Sequence, residues 1–103
     1  LAFIRPAILA RAGNRCEACR AAGRLELHHR IKRSQGGGET PQNIVGLCRL
    51  CHERTDATWS RGKLCILSLG LFWFNICHSE AEFFEWETEI HTMVRAVLDD
   101  EED

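Results

Sequence analysis

The pattern of apolar and polar positions in the first part of the chain predicts short helices and strands. Residues 4–13 fit a helix that ends at Gly13, because glycine suits the C-terminal cap. Apolar and polar residues alternate over residues 25–28, which predicts a short strand, and residues 44–47 predict a second one. Residues 50–60 then fit a second helix. The stretch between the strands is basic and holds three consecutive glycines, which predicts a loop.

The last forty residues predict a hairpin followed by a helix. Residues 63–69 and 71–77 fit two strands that turn at Gly70. Ser79 and Glu82 match a capping box, in which each side chain satisfies a backbone N–H at the helix start. Large apolar residues then recur on one helix face, which favours a core-facing or dimer-forming helix. They are Phe83, Trp86, Ile90, Val94 and Val97.

Charge divides this small chain into two regions. Residues 1–63 hold 12 basic and 5 acidic side chains, whereas residues 64–103 hold one arginine and 10 acidic side chains. The first region therefore suits a polyanionic partner and the second does not. We expect the acidic region either to share one compact domain with the first or to mediate dimerisation. No apolar run reaches the roughly 18 residues that a membrane helix needs.

Four of the six cysteines form two C-x-x-C pairs, Cys16/Cys19 and Cys48/Cys51. This spacing favours a structural zinc ion held by four thiolates in a reducing compartment. Disulfides in a secreted domain and redox chemistry are the alternatives. No signal peptide is visible at the start, which favours a cytoplasmic protein. The remaining two cysteines lie in an apolar stretch and are expected to be small buried side chains.

Three histidines and one asparagine lie in or beside the segment that the cysteine pairs frame. His28 and His29 are adjacent, and Asn43 directly precedes the second predicted strand. His52 directly follows Cys51. Four thiolates already complete a tetrahedral structural site, so the histidines imply a second site. An alternative is that His52 replaces Cys51 as a ligand of the structural zinc.

The strings CEAC, LELHHRI, GGG, PQNI and LCRLCH follow one another within residues 15–56. Together they resemble the HNH endonucleases, in the subtype whose ββα-metal finger is framed by two C-x-x-C zinc pairs. The resemblance implies an α+β fold, here with a short helix before the finger and a hairpin plus amphipathic helix after it. It also implies that His28 and His52 bind a catalytic divalent metal, that His29 is the general base, and that Asn43 orients His29 through the loop.

The implied activity is hydrolysis of DNA phosphodiester bonds with one divalent metal, which can be magnesium, manganese, nickel or zinc. Asp56, four residues after His52, is a further candidate ligand, with a solvated carboxylate as the alternative. Neighbouring strand residues point to opposite faces, so the strand must end or bend at His29. Basic residues are expected to bind the DNA backbone. They are Arg30, Lys32, Arg33, Arg49, Arg54, Arg61 and Lys63.

Two other functions use parts of the same sequence. A non-catalytic zinc module that binds nucleic acid needs the cysteines and the basic residues, but it does not need the histidine set. An interaction module would work through the acidic region, which could also inhibit the basic finger. A homodimer or a larger nuclease assembly is a further expectation, since cutting both strands requires two copies or a partner. Phage DNA processing, restriction and mobile elements remain alternative settings.

Overall fold

The computed structural model describes residues 4–102, with side chains described from residue 4 to residue 99. The outer ends of the two predicted regions, residues 1–3 and 103, lie outside the described residues. The elements follow the predicted α+β order, with two separate antiparallel sheets. They are α1 (Arg5–Ala12), β1 (Glu26–His29), β2 (Ile44–Leu47), α2 (Arg49–Arg54), β3 (Lys63–Leu69), β4 (Leu71–Cys77) and α3 (Glu80–Glu102).

Contacts divide the chain into two units, Leu1–Asp56 and Ala57–Asp103, which we call unit 1 and unit 2. The charge pattern places its division at residue 63, a few residues later along the chain. Unit 1 holds the two cysteine pairs, the adjacent histidines and the glycine-rich loop. Unit 2 holds the hairpin and the long acidic helix.

In unit 1, α1 packs closely on β2 at Gly46. A Cβ atom at Gly46 would lie 3.1 Å from Ile8 Cγ2 and 3.2 Å from Leu25 Cδ1. Ile8, Leu25 and Ile44 are all at most 2% exposed, so the core of this unit lies between α1 and the sheet. The helix ends as predicted at Gly13, whose φ of 65° is the left-handed cap conformation.

One arginine of α1 joins three segments of unit 1. Arg11 donates to both carboxylate oxygens of Glu17, at 2.6 and 2.9 Å. It also donates to the backbone carbonyls of Pro41 and Ile44, at 2.6 and 2.7 Å. Glu17 in turn accepts the backbone N–H of Gly46 at 3.3 Å. The side chain therefore connects the helix, the first cysteine turn and the start of β2.

β1 and β2 pair antiparallel, with His28 opposite Val45 and His29 opposite Ile44. The observed strand lies one residue later than the predicted strand at residues 25–28. It ends at His29, as predicted for two adjacent histidines that would both serve one site.

The predicted helix over residues 50–60 is wrong in its second half, because α2 ends at Arg54. Thr55 donates its hydroxyl to the backbone carbonyl of His52 at 2.7 Å, and this carbonyl also accepts the Thr55 N–H. The N–H of Asp56 likewise bonds three residues back, to Glu53. These tighter bonds end the helix, since a side-chain hydroxyl competes with the α-helical pattern.

In unit 2, β3 and β4 pair from Lys63 opposite Cys77 to the turn at Gly70, as the sequence predicts. Gly70 has a φ of 78°, which favours glycine. The capping box is also present. Ser79 Oγ accepts the N–H of Glu82 at 3.0 Å, and the Glu82 carboxylate accepts the N–H of His78 at 3.0 Å. The return bond therefore reaches one residue further back than in the usual capping box.

Packing in unit 2 places most of the predicted helix stripe inward. Ile90 is 8% exposed, and the Phe83 ring lies 6.4 Å from Trp59 and 6.2 Å from Trp86. Val97, in contrast, is 58% exposed. Within the described residues, no helix combines the length and the apolar character needed to span a bilayer.

The two cysteines outside the C-x-x-C pairs are buried in unit 2, as expected. Cys65 is 7% exposed and Cys77 is 0% exposed. Burial, followed by the neighbouring Cys77, raises the pKa of the Cys65 thiol to about 12. Both residues are therefore packing side chains, separate from the cysteine cluster of unit 1.

Candidate functional site

The two C-x-x-C pairs come together in unit 1 as one cluster. The sulfur atoms of Cys16, Cys19, Cys48 and Cys51 all lie within 4.8 Å of one another. Cys19 Sγ and Cys48 Sγ are 3.8 Å apart, so the contact between the pairs is direct. All six cysteines are free thiols, and all six lie within the described residues. This geometry supports the zinc interpretation over the disulfide alternative.

Each pair is shaped by a tight backbone turn. In the first turn the N–H of Arg20 bonds to the carbonyl of Cys16 at 2.8 Å, and Arg20 adopts a φ of 68°. The N–H of Cys19 points at Cys16 Sγ, with a separation of 3.5 Å. In the second turn Cys48 caps α2, and its sulfur accepts the N–H of Cys51 at 3.5 Å. Backbone N–H groups aimed at sulfur stabilise thiolates.

The thiol pKa values reflect the crowding of four sulfurs. Burial raises the pKa of Cys16, but the backbone N–H groups of Cys19, Cys48 and Ala18 outweigh burial and lower it to about 7. Burial, followed by the sulfurs of Cys48 and Cys16, raises the pKa of Cys51. Four thiolates at this spacing need a compensating cation, and a tetrahedral zinc ion meets that need. The donor set therefore fits a structural zinc.

One histidine of β1 and one of α2 lie close together in unit 1. The rings of His28 and His52 have their centroids 5.3 Å apart and face edge-on, with an interplanar angle of 72°. Burial, followed by the charge of His52, lowers the pKa of His28 to about 4, while Asp56 acts in the opposite direction. His28 is therefore neutral near pH 7, the form in which imidazole binds metals.

A carboxylate orients the second of these rings. His52 Nδ1 lies 2.6 Å from Glu26 Oε1, and this hydrogen bond lowers the pKa of Glu26. The carboxylate is ionised near pH 7, so the ring nitrogen donates, which leaves His52 Nε2 as an acceptor. Glu26 was not predicted as a site residue, although the sequence contained a signal for it. It lies two residues before His28, and alternate residues of a strand share a face.

A second carboxylate contacts the predicted general base. His29 Nε2 lies 2.6 Å from Glu39 Oε1, and the same oxygen accepts Arg33 Nε at 2.8 Å. The His29 side chain is 18% exposed, compared with 35% for Glu39. No periodicity links these residues, because Glu39 belongs to the glycine-rich loop. Only the fold of that loop reveals the contact.

Asn43 holds the loop at two points and is 6% exposed. Its Oδ1 accepts the N–H of Ile31 at 2.8 Å, and its Nδ2 donates to the carbonyls of Ile31 and Gly38 at 3.0 and 2.9 Å. Gly37 sits between these contacts, where an added Cβ would lie 1.7 Å from the Ile31 oxygen. The loop-holding role that the resemblance implies for Asn43 therefore has a specific set of bonds behind it.

Asp56 lies in the exposed turn after α2, so the argument that four helical residues separate it from His52 does not apply. Its carboxylate still raises the pKa of His28. Among the described residues, the cysteine cluster is the group whose ligand atoms all lie within 4.8 Å of one another. His28, His52 and Asp56 do not form a second group at that spacing.

The basic residues predicted to bind phosphates lie in both units. In unit 1, Arg49 is 82% exposed and pairs with Glu53 at 3.1 Å, whereas Arg33 pairs with Glu39. In unit 2, Lys63 Nζ lies 5.9 Å from the centroid of the Trp59 ring. Unit 1 contains Arg30, Lys32, Arg33, Arg49 and Arg54, and unit 2 contains Arg61 and Lys63.

Comparison with known families identifies the same segment that the motifs and the geometry single out. Residues 16–57, less than half of the chain, match the family model of the HNH endonucleases. No curated protein and no solved structure matches the chain with significant similarity. The match points to a nuclease-type function, with DNA as the substrate that the family implies. The resemblance is therefore confirmed as a match of residues 16–57 to the HNH endonuclease family model, and the two cysteine pairs in this segment make one candidate zinc site.

Proposed function

We propose that this chain is a metal-dependent endonuclease that hydrolyses phosphodiester bonds of DNA. The observation that carries the proposal is the meeting of His28 and His52, with ring centroids 5.3 Å apart, inside the family-matched segment. His29, the next residue on β1, is the proposed general base. A module that only binds nucleic acid needs none of these rings, so their arrangement favours catalysis.

His28 and His52 are the proposed ligands of a catalytic divalent metal. Partial burial lowers the pKa of His28 to about 4, so it is neutral near pH 7. Nδ1 of His52 is bonded to Glu26, which leaves its Nε2 for a ligand. Asp56, whose charge raises the pKa of His28, remains the proposed third ligand. A divalent cation held there supplies positive charge to the scissile phosphate and the leaving 3′ oxygen. Imidazole suits zinc, nickel or manganese, and a carboxylate adds magnesium to these.

The chain's own residues then move the proton and hold the substrate. His29 accepts a proton from water, and the resulting hydroxide oxygen bonds to phosphorus while the bond to the 3′ oxygen breaks. Asn43 keeps the loop beside His29 in place. The basic residues named above bind the DNA phosphates, so affinity falls with salt and depends little on sequence.

Three further expectations belong to this proposal. The free cysteines suit a reducing, cytoplasmic compartment, where thiols and their zinc complexes persist. The acidic region, residues 64–103, either completes the same domain or mediates dimerisation. A homodimer or a larger assembly would supply the second cut in duplex DNA.

Supercoiled-plasmid nicking tests the proposal directly. Purified protein is assayed with magnesium, manganese, nickel or zinc, beside His29→Ala and a matched control, His91→Ala, which removes an exposed histidine from α3. We expect metal-dependent nicking that falls roughly 10²- to 10⁴-fold in His29→Ala, the usual contribution of a general base, and is unchanged in His91→Ala. Folded, zinc-loaded protein that binds DNA but never nicks it would instead favour the non-catalytic binding module.

A further inference from the structure

The carboxylate of Glu39 is held in place by two hydrogen bonds, both to its Oε1 atom. Glu39 Oε1 lies 2.6 Å from His29 Nε2 and 2.8 Å from Arg33 Nε. These two bonds, with that from His29 the stronger, hold the pKa of Glu39 below its usual value. The carboxylate is therefore ionised near pH 7 and acts only as an acceptor.

The loop fixes where this carboxylate lies. The residue before it, Gly38, has its carbonyl bonded to Asn43 Nδ2 at 2.9 Å. Gly37 packs so closely on Ile31 that no side chain fits there. The backbone on the approach to Glu39 is thus held to the buried Asn43.

We propose that Glu39 is a positioning residue for His29, and that Arg33 holds Glu39 in place. This inference rests on the proposed nuclease function. An ionised carboxylate beside Nε2 fixes the ring tautomer that carries its proton on Nε2. The lone pair of Nδ1 is then the group that faces the attacking water, as a general base requires.

The proton balance of the step follows from this arrangement. Water gives one proton to His29 Nδ1, its oxygen bonds to phosphorus, and the 3′ oxygen leaves with the bonding electron pair and takes a proton from solvent. The imidazolium that forms keeps its Nε2 proton and faces the negative Glu39. It later releases the Nδ1 proton to solvent. No further reactant is needed.

Arg33 consequently has a role other than the one predicted from the sequence. Its Nε is committed to Glu39, although its side chain remains 64% exposed. Loss of Arg33 would therefore loosen Glu39 as well as weaken phosphate binding.

The kinetic test compares Glu39→Ala and Glu39→Gln with the charge-matched control Glu53→Gln. Glu53 is 62% exposed, pairs with Arg49 and makes no hydrogen bond to a histidine. We expect Glu39→Ala to lower kcat roughly 10- to 100-fold with little change in KM, as for other carboxylate–histidine pairs. Glu39→Gln keeps an acceptor oxygen but loses the charge, so its loss should be intermediate. Glu53→Gln should retain the parental kcat.

A second measurement separates failure of this inference from failure of the nuclease proposal. Long-range ¹H–¹⁵N correlation NMR of the His29 ring, on folded zinc-loaded protein, reports the tautomer without requiring activity. We expect the Nε2–H form in the parent and in Glu39→Gln, and a mixture of tautomers in Glu39→Ala. An unchanged tautomer in Glu39→Ala overturns the inference whether or not the parent nicks DNA. A parental kcat in a folded Glu39→Ala variant overturns it as well.

Discussion

The cysteine cluster and the pair formed by His28 and His52 both belong to unit 1, but their ligand atoms are arranged differently. The four sulfurs lie within 4.8 Å of one another, and each C-x-x-C turn directs its own backbone N–H at a sulfur. The centroids of the two histidine rings lie 5.3 Å apart, and within the described part of the chain no third ligand joins them at the sulfur spacing. The carboxylate of Glu26 orients one of them, His52. A closed ligand set suits structural zinc, and an open set leaves room for substrate.

Among the changes that distinguish the two groups, loss of the structural metal should have the largest effect on the folding of unit 1. Cys16→Ala, or strong chelation, should unfold unit 1, because the apparent binding free energy of a structural zinc is about 10–16 kcal/mol and becomes folding free energy. Circular dichroism with parallel metal analysis measures this loss. His28→Ala serves as the control and should keep both the fold and the zinc. A native spectrum after the metal is shown to be gone would contradict the structural role.

Gly37→Ala should be the next most damaging change, since its Cβ would meet the Ile31 carbonyl at 1.7 Å. We expect unit 1 to lose about 1–3 kcal/mol in free energy of unfolding, as for other overpacked sites, and nicking to fall while the zinc is retained. Chemical denaturation and nicking assays measure the two effects. Gly38→Ala is the matched control, because its Cβ would meet only Thr40 at an ordinary 3.6 Å. If the two variants have the same free energy of unfolding and the same nicking activity, the loop can shift to accommodate a Cβ atom at residue 37.

Glu26→Ala should have a smaller, purely local effect. Without this carboxylate the His52 ring loses its orientation, and affinity for a metal at the histidine pair should fall roughly 10- to 100-fold. Calorimetric titration with manganese or nickel, on protein already loaded with structural zinc, measures the change. Glu53→Ala removes an exposed carboxylate from α2 and should bind metal like the parent. If Glu26→Ala also binds like the parent, the carboxylate has no role at the metal.

The parts of the fold that local chemistry decides were predictable from the sequence. Gly13, Gly70 and the Ser79 capping box all end or begin elements where expected, because each is a short-range backbone effect. The cysteine cluster also followed from spacing alone. The end of α2 was not predictable from apolar spacing, because Thr55 diverts the His52 carbonyl and stops the helix early.

The candidate site was predictable only as far as its motif residues. Their roles as ligands, base and DNA contacts stay predictions, which the experiments above address. The two carboxylates that contact the rings, Glu26 and Glu39, were not predicted as site residues. Glu26 shares a strand face with His28, so alternation contained a weak signal. Glu39 reaches His29 only because the loop folds back through Gly37 and Asn43, and a contact of that kind depends on tertiary structure.

The hydrogen bonds of Arg11 bear on how far unit 1 can be truncated and still fold. The family-matched segment begins at Cys16, so a fragment trimmed to it would lack α1 and the guanidinium with it. Glu17 would lose its countercharge, the carbonyls of Pro41 and Ile44 would lose their donor, and the inner face of β2 would meet water. We therefore expect a fragment that folds to be longer than the matched segment and to include α1, a helix that contains none of the motif residues.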